Sequence, residues 1–346
     1  GPVVRTSLLK RRLGVIDLVC GGADVPSRVG ENLFWMGRYA ERCEASARLL
    51  RTALARVSSS DPETELRLSG LLAAARRTGV LPEPDADATD SPSLEQELLA
   101  ALTDADQPGS VAANLRALAY SAGHVKERLS SDNWHALNHL EQLLSRPVNT
   151  VDQALSAIDQ VMLSCISLAG FAMDDMTRDE GWRFLILGRR IERLAGLSAL
   201  ISVPMEPHVR ERERMFEWLL EAANSIVTYR ARYRRVPELL PLVHLLVFDT
   251  TNPHSVGFQV DALQRYLGRT ARELGHPYPS LMIDPLARRL ADFDLTRFEA
   301  DDCDLAVRTL RTLLAEAEDA AGHLSEDVHR RFFTHTVRPM HLRRVA

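Results

Sequence analysis

Gly37-Arg38-Tyr39-Ala40-Glu41-Arg42 recurs as Gly188-Arg189-Arg190-Ile191-Glu192-Arg193, so the chain carries the pattern G-R-x-x-E-R twice. The flanks are alike too: Leu33-Phe34-Trp35-Met36 precedes the first copy and Trp182-Arg183-Phe184-Leu185-Ile186-Leu187 the second. Around the first copy, Leu33, Phe34, Met36, Ala40, Ala47, Leu49, Leu50 and Leu54 keep the three-to-four spacing of one helix face. That spacing predicts a helix from Ser27 to Val57, opened by Pro26-Ser27 and about 45 Å long at about 1.5 Å per residue. On it Arg38 lies one turn from Glu41 and Arg42, which puts an Arg-Glu-Arg face beside apolar residues. Gly37 and Gly188 each cost about 1 kcal/mol of helix propensity relative to Ala, which predicts another helix packed closely there. The repeat predicts two related halves, about residues 26–148 and 176–275, with the helices of Glu41 and Glu192 as neighbours in the core.

Outward from this pair the helical period continues. Glu63 to Thr78 reads as a helix closed by Gly79, followed by a polar connector from Leu81 to Asp90. Ser91-Pro92 opens the next helix, and Gly109 to Leu129, Ser131 to Leu144 and Val151 to Met173 follow. Thr177-Arg178-Asp179-Glu180 reads as a capping box whose helix stops at Pro204. Val209 to Arg235 reads as one long helix and Pro237 to Val247 as a short apolar one. Asn252-Pro253 reads as the start of a helix ending near Gly275, and C-terminal helices occupy 284–333. Residues 1–25 read as a cleavage scar and extension without an initiating Met, and 334–346 as a basic tail. Strand-like alternation appears nowhere, so the expected fold is all-α, a bundle of about ten helices.

Composition narrows the chemistry. The 346 residues are 45% hydrophobic and 26% charged with a formal charge of −5, the wrong sign for a protein that coats nucleic acid. Only Lys10 and Lys126 are lysines, so nearly all of the 42 basic residues are arginines and anion recognition must rely on guanidinium forks. Neither a Walker-type phosphate loop nor G-x-G-x-x-G occurs, and no cofactor is implied. The four cysteines show no short pairing, which reads as a reduced, cytoplasmic protein. The apolar stretch from Val161 to Met173 is shorter than the roughly 20 residues that span a bilayer and reads as a core helix, so no membrane partner is expected.

The two E-R faces support two readings: an Arg/Glu network that sets helix register, or a polar pocket where Arg38, Arg42, Arg189 and Arg193 hold a carboxylate or phosphate around Glu41 and Glu192. His135 and His139 share a helix face without a third partner, so they do not make a metal site. Asp174-Asp175 with Asp179, and Asp301-Asp302 with Asp304, approach the paired Asp motifs of diphosphate-binding all-helical enzymes without matching their spacing. Arg210 to Arg214 and Arg230 to Arg235, interleaved with Tyr229 and Tyr233, read as a solvated face, with an anionic-ligand wall or a nucleic-acid surface as alternatives.

From Pro26 through Arg42 the chain closely resembles the opening of the alpha-E family, an α-helical bacterial domain with E-R motifs. The resemblance continues in order through Val125-Lys126-Glu127-Arg128-Leu129-Ser130 with Asn133-Trp134, Met176-Thr177-Arg178 with Gly181-Trp182-Arg183-Phe184, the second G-R-x-x-E-R, Thr228-Tyr229-Arg230 with Tyr233, and Asp249-Thr250-Thr251-Asn252-Pro253. It spans roughly residues 26 to 330. His254 stands where the family's N-P-R-S-V has Arg, and Ser121-Ala122-Gly123 replaces an N-A-R-like stretch. The resemblance implies a partner module found fused to or beside circularly permuted ATP-grasp amidoligases and transglutaminase-like peptidases. It adds Tyr229, Arg230, Asp249 and Asn252 to the candidate residues. The function so implied is a non-catalytic substrate-handling or docking module, accessory to an ATP-dependent amide ligase and binding a carboxylate-bearing peptide, amino acid or carrier. The alternative is an independent enzyme with a site between the two repeats.

Overall fold

The computed structural model describes residues 25–57, 63–84, 92–144, 146–209, 211–273, 275, 282–299 and 303–333. The expected N-terminal extension through residue 24, most of the polar connector (85–91), Arg210, Asp301-Asp302 and the basic tail lie outside the described residues. Among the described residues the fold is all-α, with thirteen α-helices and no strand. They are α1 (Ser27–Val57), α2 (Glu63–Arg77), α3 (Leu94–Thr103), α4 (Val111–Gly123), α5 (Ser131–Leu144), α6 (Val151–Asp174), α7 (Glu180–Ser202), α8 (Phe216–Ala222), α9 (Ile226–Tyr233), α10 (Leu239–Val243), α11 (Val256–Glu273), α12 (Ile283–Ala291) and α13 (Asp304–Val328).

Two inner helices organise the rest. α1 packs most extensively against α7 and is also flanked by α4, α6, α2 and α3, while α7 is flanked further by α13 and α11. A helix enclosed on several sides must be apolar well beyond one stripe. Leu33, Phe34, Cys43, Ala47, Leu50 and Leu54 of α1 and Leu187, Ile191, Leu194 and Ile201 of α7 are accordingly fully buried.

The two helices touch at their glycines. A Cβ on Gly37 would collide with the Leu185 carbonyl oxygen, and one on Gly188 with the Phe34 carbonyl oxygen. Each glycine therefore meets the carbonyl three residues before the other glycine, a reciprocal contact that any side chain would prevent.

Several helix ends differ from the sequence reading, and capping side chains set three of them. α7 starts at Glu180 with Asp179 as its N-cap, not at a Thr177 box, because the Asp179 carboxylate accepts the Trp182 amide at 3.0 Å and also takes Arg128. Ser93 caps α3 in a box with Gln96, which leaves Pro92 outside the helix. The long helix expected over 209–235 is broken into a 3-10 turn at Arg212–Met215, α8 and α9, with Asn224 in the left-handed region at φ 51° between them. Ser255 takes the Phe258 amide at 3.0 Å at the start of α11, while the Asn252 side chain turns inward to Leu245 O and Ser225 Oγ.

α6 matches the helix expected over Val151 to Met173, and by length and composition it is the one described helix that could cross a membrane. Here Ile158, Val161, Met162, Cys165 and Leu168 face the bundle, whereas Leu163, Ile166 and Met173 are exposed.

Ala at Gly37 or Gly188 should force the inner helices apart and destabilise the chain by about 3 kcal/mol or more, since overpacking against backbone cannot relax by a rotamer change. Gly170 of α6 meets no atom within 4 Å of its would-be Cβ, so Gly170→Ala should be neutral or stabilise by up to about 1 kcal/mol. Urea unfolding of the three variants tests this.

Candidate functional site

One turn beyond the glycine contact the E-R pairs interlock. Glu192 of α7 receives Arg38 Nε on Oε2 at 2.7 Å and Arg42 Nε on Oε1 at 2.5 Å. Glu41 of α1 receives Arg193, with Nη2 on Oε2 at 2.7 Å and Nε on Oε1, and Arg189 at 3.2–3.3 Å. Each copy of the motif thus supplies two guanidinium groups to the glutamate of the other. The arrangement follows from the i, i+3 and i, i+4 spacing, which puts both arginines of a copy on the glutamate's own face.

The symmetry stops at Glu44 and Arg48, which α1 adds on the same side. Glu44 takes Arg48 at 2.9 Å and Arg189 at 3.3 Å. Arg48 also donates to Asn224 Oδ1 at 3.1 Å, and the Asn224 amide nitrogen faces His254 Nε2 at 3.2 Å. With the Asn224 oxygen committed to Arg48, its NH2 is the donor and His254 Nε2 the acceptor, so the imidazole is neutral with its proton on Nδ1. Burial, followed by repulsion from Arg193, pushes the His254 pKa down to about 3. Burial and then Arg193 also lower Arg190, to about 10. Burial alone would raise Glu41, but Arg193 and Arg189 overcome it and hold that carboxyl at about 2. Beside burial, the arginines contribute to all three shifts: Arg38, Arg42, Arg48, Arg189, Arg190 and Arg193 surround Glu41, Glu44 and Glu192, and the cluster is positive.

Two clefts open on it. One of about 100 Å³ is lined by Glu41, Arg42, Glu44, Arg48, Arg193 and His254 among others. The other, of about 260 Å³, is lined by Glu44, Arg189, Arg190, Arg193 and His254, with Ile166, Ala169, Met173 and Ile186 as an apolar wall.

The remaining candidates lie elsewhere. Tyr229 is buried, with its hydroxyl accepting the Glu238 amide at 2.9 Å and donating to Val236 O. Asp249 is tied to Thr251 and Arg232, and Asn252 holds the loop that places His254, its Oδ1 accepting the His254 amide at 3.1 Å. Arg230 is exposed and pairs with Glu217, away from both clefts. In the basic stretch Arg212 faces Asp304, Arg214 pairs with Glu211 and Arg235 with Glu238, as a solvated face requires. His139 meets Ser164, and Asp179 is occupied as a helix cap.

The sequence reading left out Glu44, Arg48, Asn224 and Arg190. The signal for Arg190 was present, since the first copy has Tyr39 at that place. Glu44 and Arg48 also stand i, i+4, where the second copy has Ala195 and Ala199.

Removing Glu192 takes the carboxylate partner from Arg38 and Arg42, and removing Glu41 leaves Arg189 and Arg193 with Glu44 alone. Glu41→Gln and Glu192→Gln should each cost about 3–5 kcal/mol in urea unfolding at neutral pH. The Glu41 carboxyl is depressed from 4.5 to about 2, so the stability it contributes is present above pH 4.5 and lost as pH falls toward 2. In an acid titration the wild type should converge on Glu41→Gln across that window; a constant gap would show that the Glu41 charge is not the cause.

The chain is 30% identical over 308 residues to uncharacterized proteins of Mycobacterium bovis and Mycobacterium tuberculosis, covering 83% of this chain and 35% of each relative. It therefore spans about a third of the length of the curated relatives it matches. No solved structure matches it. A family model described as a predicted alpha-helical domain with a conserved ER motif matches residues 25–333, which contain both E-R copies that clasp α1 to α7, and the chain belongs to this Alpha-E family.

Proposed function

We propose that the domain is a non-catalytic substrate-handling or docking module of a cytoplasmic ATP-grasp amidoligase system, holding a carboxylate-bearing peptide, amino acid or carrier segment. The observation that carries this reading is the charge of the α1/α7 cluster: six arginines around three glutamates, with two clefts opening on it. Such a surface holds an anion well. It is poorly suited to activating a nucleophile, because His254 is neutral, engaged on Nε2 and far less basic than a general base needs to be.

The lining of the clefts supports a narrower set of arginines for the holding. Arg230 is remote and Arg38 lines neither cleft, whereas Arg189, Arg190 and Arg193 line the larger one, and of these Arg190 alone has no glutamate partner among the described residues. ATP chemistry then comes from a partner, in cis or in trans. The much greater length of the mycobacterial relatives supports a domain that works beside others.

The test is to incubate the chain with ATP, Mg²⁺ and an amino-acid mixture, alone and with the amidoligase encoded beside it, following ADP release and product mass. Turnover should require the ligase, rise on adding this chain, and fall at least tenfold with Arg190→Gln. Amide formation by the isolated chain would favour an independent enzyme. A ligase indifferent to the chain would sink the module reading.

A further inference from the structure

Arg190 is the arginine that the E-R pattern does not use. Arg38, Arg42, Arg48, Arg189 and Arg193 are each ion-paired to a glutamate. Among the described residues, Arg190 has no carboxylate partner. Neutral groups position it instead: Nη1 donates to Gln259 Oε1 at 3.2 Å, and the guanidinium lies 5.1 Å from the centre of the Phe258 ring. Gln259 is itself anchored, donating to Pro253 O at 2.7 Å. The fork is thus held in place with most of its donors uncommitted, at the edge of the 260 Å³ cleft. A sequestered guanidinium without a counter-charge is costly, and an anion entering the cleft would relieve that cost.

The opposite wall selects among anions. Ile166 and Met173 of α6 are 55% and 42% exposed, and with Ala169 of the same helix they give the cleft an aliphatic side, while Ile186 lies one turn before Arg190 on α7. A compact phosphate dianion would leave that wall wet and would sit beside the Glu44 carboxylate. A single uncommitted fork suits two coplanar oxygens of one negative charge.

We propose that this cleft binds a carboxylate carried on an aliphatic body, such as the C-terminal residue of a peptide, with Arg190 as the anchoring fork and Ile166 and Met173 as the side-chain wall. This rests on reading the cleft as a substrate-handling site, and it names the end of the substrate that is held.

The test is calorimetric titration of the whole chain with N-acetyl-leucine, N-acetyl-leucinamide and inorganic phosphate, with no ligase present. N-acetyl-leucine should bind saturably, the amide at least tenfold more weakly, and phosphate more weakly than the acid. Arg190→Gln should cost tenfold or more in affinity without lowering the melting temperature, with Arg190→Lys between in affinity. Ile166→Asn changes an exposed side chain and should weaken the acid without altering the charge, so it carries the test if Arg190→Gln does not fold. Equal binding of acid and amide, phosphate binding as tight as the acid, or no binding by the folded wild type overturns the proposal. Binding as expected with no effect on ligase turnover leaves this site standing and removes the module reading instead.

Discussion

At the crossing of α1 and α7 the two backbones meet because neither Gly37 nor Gly188 has a side chain, and each glycine lies against the carbonyl that precedes the other. That proximity brings the guanidinium groups of one helix within reach of the other's glutamate. If the helices stood a side chain further apart, Arg38, Arg42, Arg189 and Arg193 would lose these partners, and the buried charges would be left unpaired. Close packing and ion pairing are therefore one constraint: the glycines set the separation, and the reciprocal clasps require it. The outer helices pack around a pair whose register is already specified.

Buried ion pairs are a poor source of net stability, because desolvation offsets most of the attraction. Their effect here is specificity. Only with Gly37 and Gly188 at the crossing does each glutamate receive both arginines of the other copy. Two glutamates shared among four arginines also leave a positive residue of charge, and Glu44 compensates only part of it. Burial first, and then that excess, lowers His254 and Arg190, while at Glu41 the excess outweighs burial and depresses the carboxyl.

The symmetry of the clasp and the asymmetry of the clefts have different origins. The clasp needs only what both copies share. The clefts need what they do not share: Glu44 and Arg48 in the first copy against Ala195 and Ala199 in the second, and Arg190 in the second against Tyr39 in the first. The loop from Asp249 to Ser255 completes the site from outside the repeat. Its Asp249, Asn252 and Ser255 are spent on the loop's own backbone at Thr251, His254 and Asp249 and on Arg232, Leu245 and Ser225, which presents His254 to the cluster. Residues that look like ligands in that segment are thus the means of positioning a neighbour.

The sequence by itself determined the helical class, the long helix from Ser27 to Val57, the pairing of the two G-R-x-x-E-R stretches and the glycines that allow it. All of these are carried by spacing along one helix or by likeness between two. Its helix ends were less legible at Thr177, Asn224 and Asn252, where the polar side chain's role depends on a distant partner such as Arg128, Arg48 or Ser225. Only the tertiary structure decided that Tyr229 and Asn252 serve the fold, that Arg230 stands apart, and that Arg190 is left without a counter-ion. The physical reason is that charge compensation is a property of distances between helices. Which guanidinium remains free depends on which carboxylates the others have already reached, across the whole span of chain that separates α1 from α7.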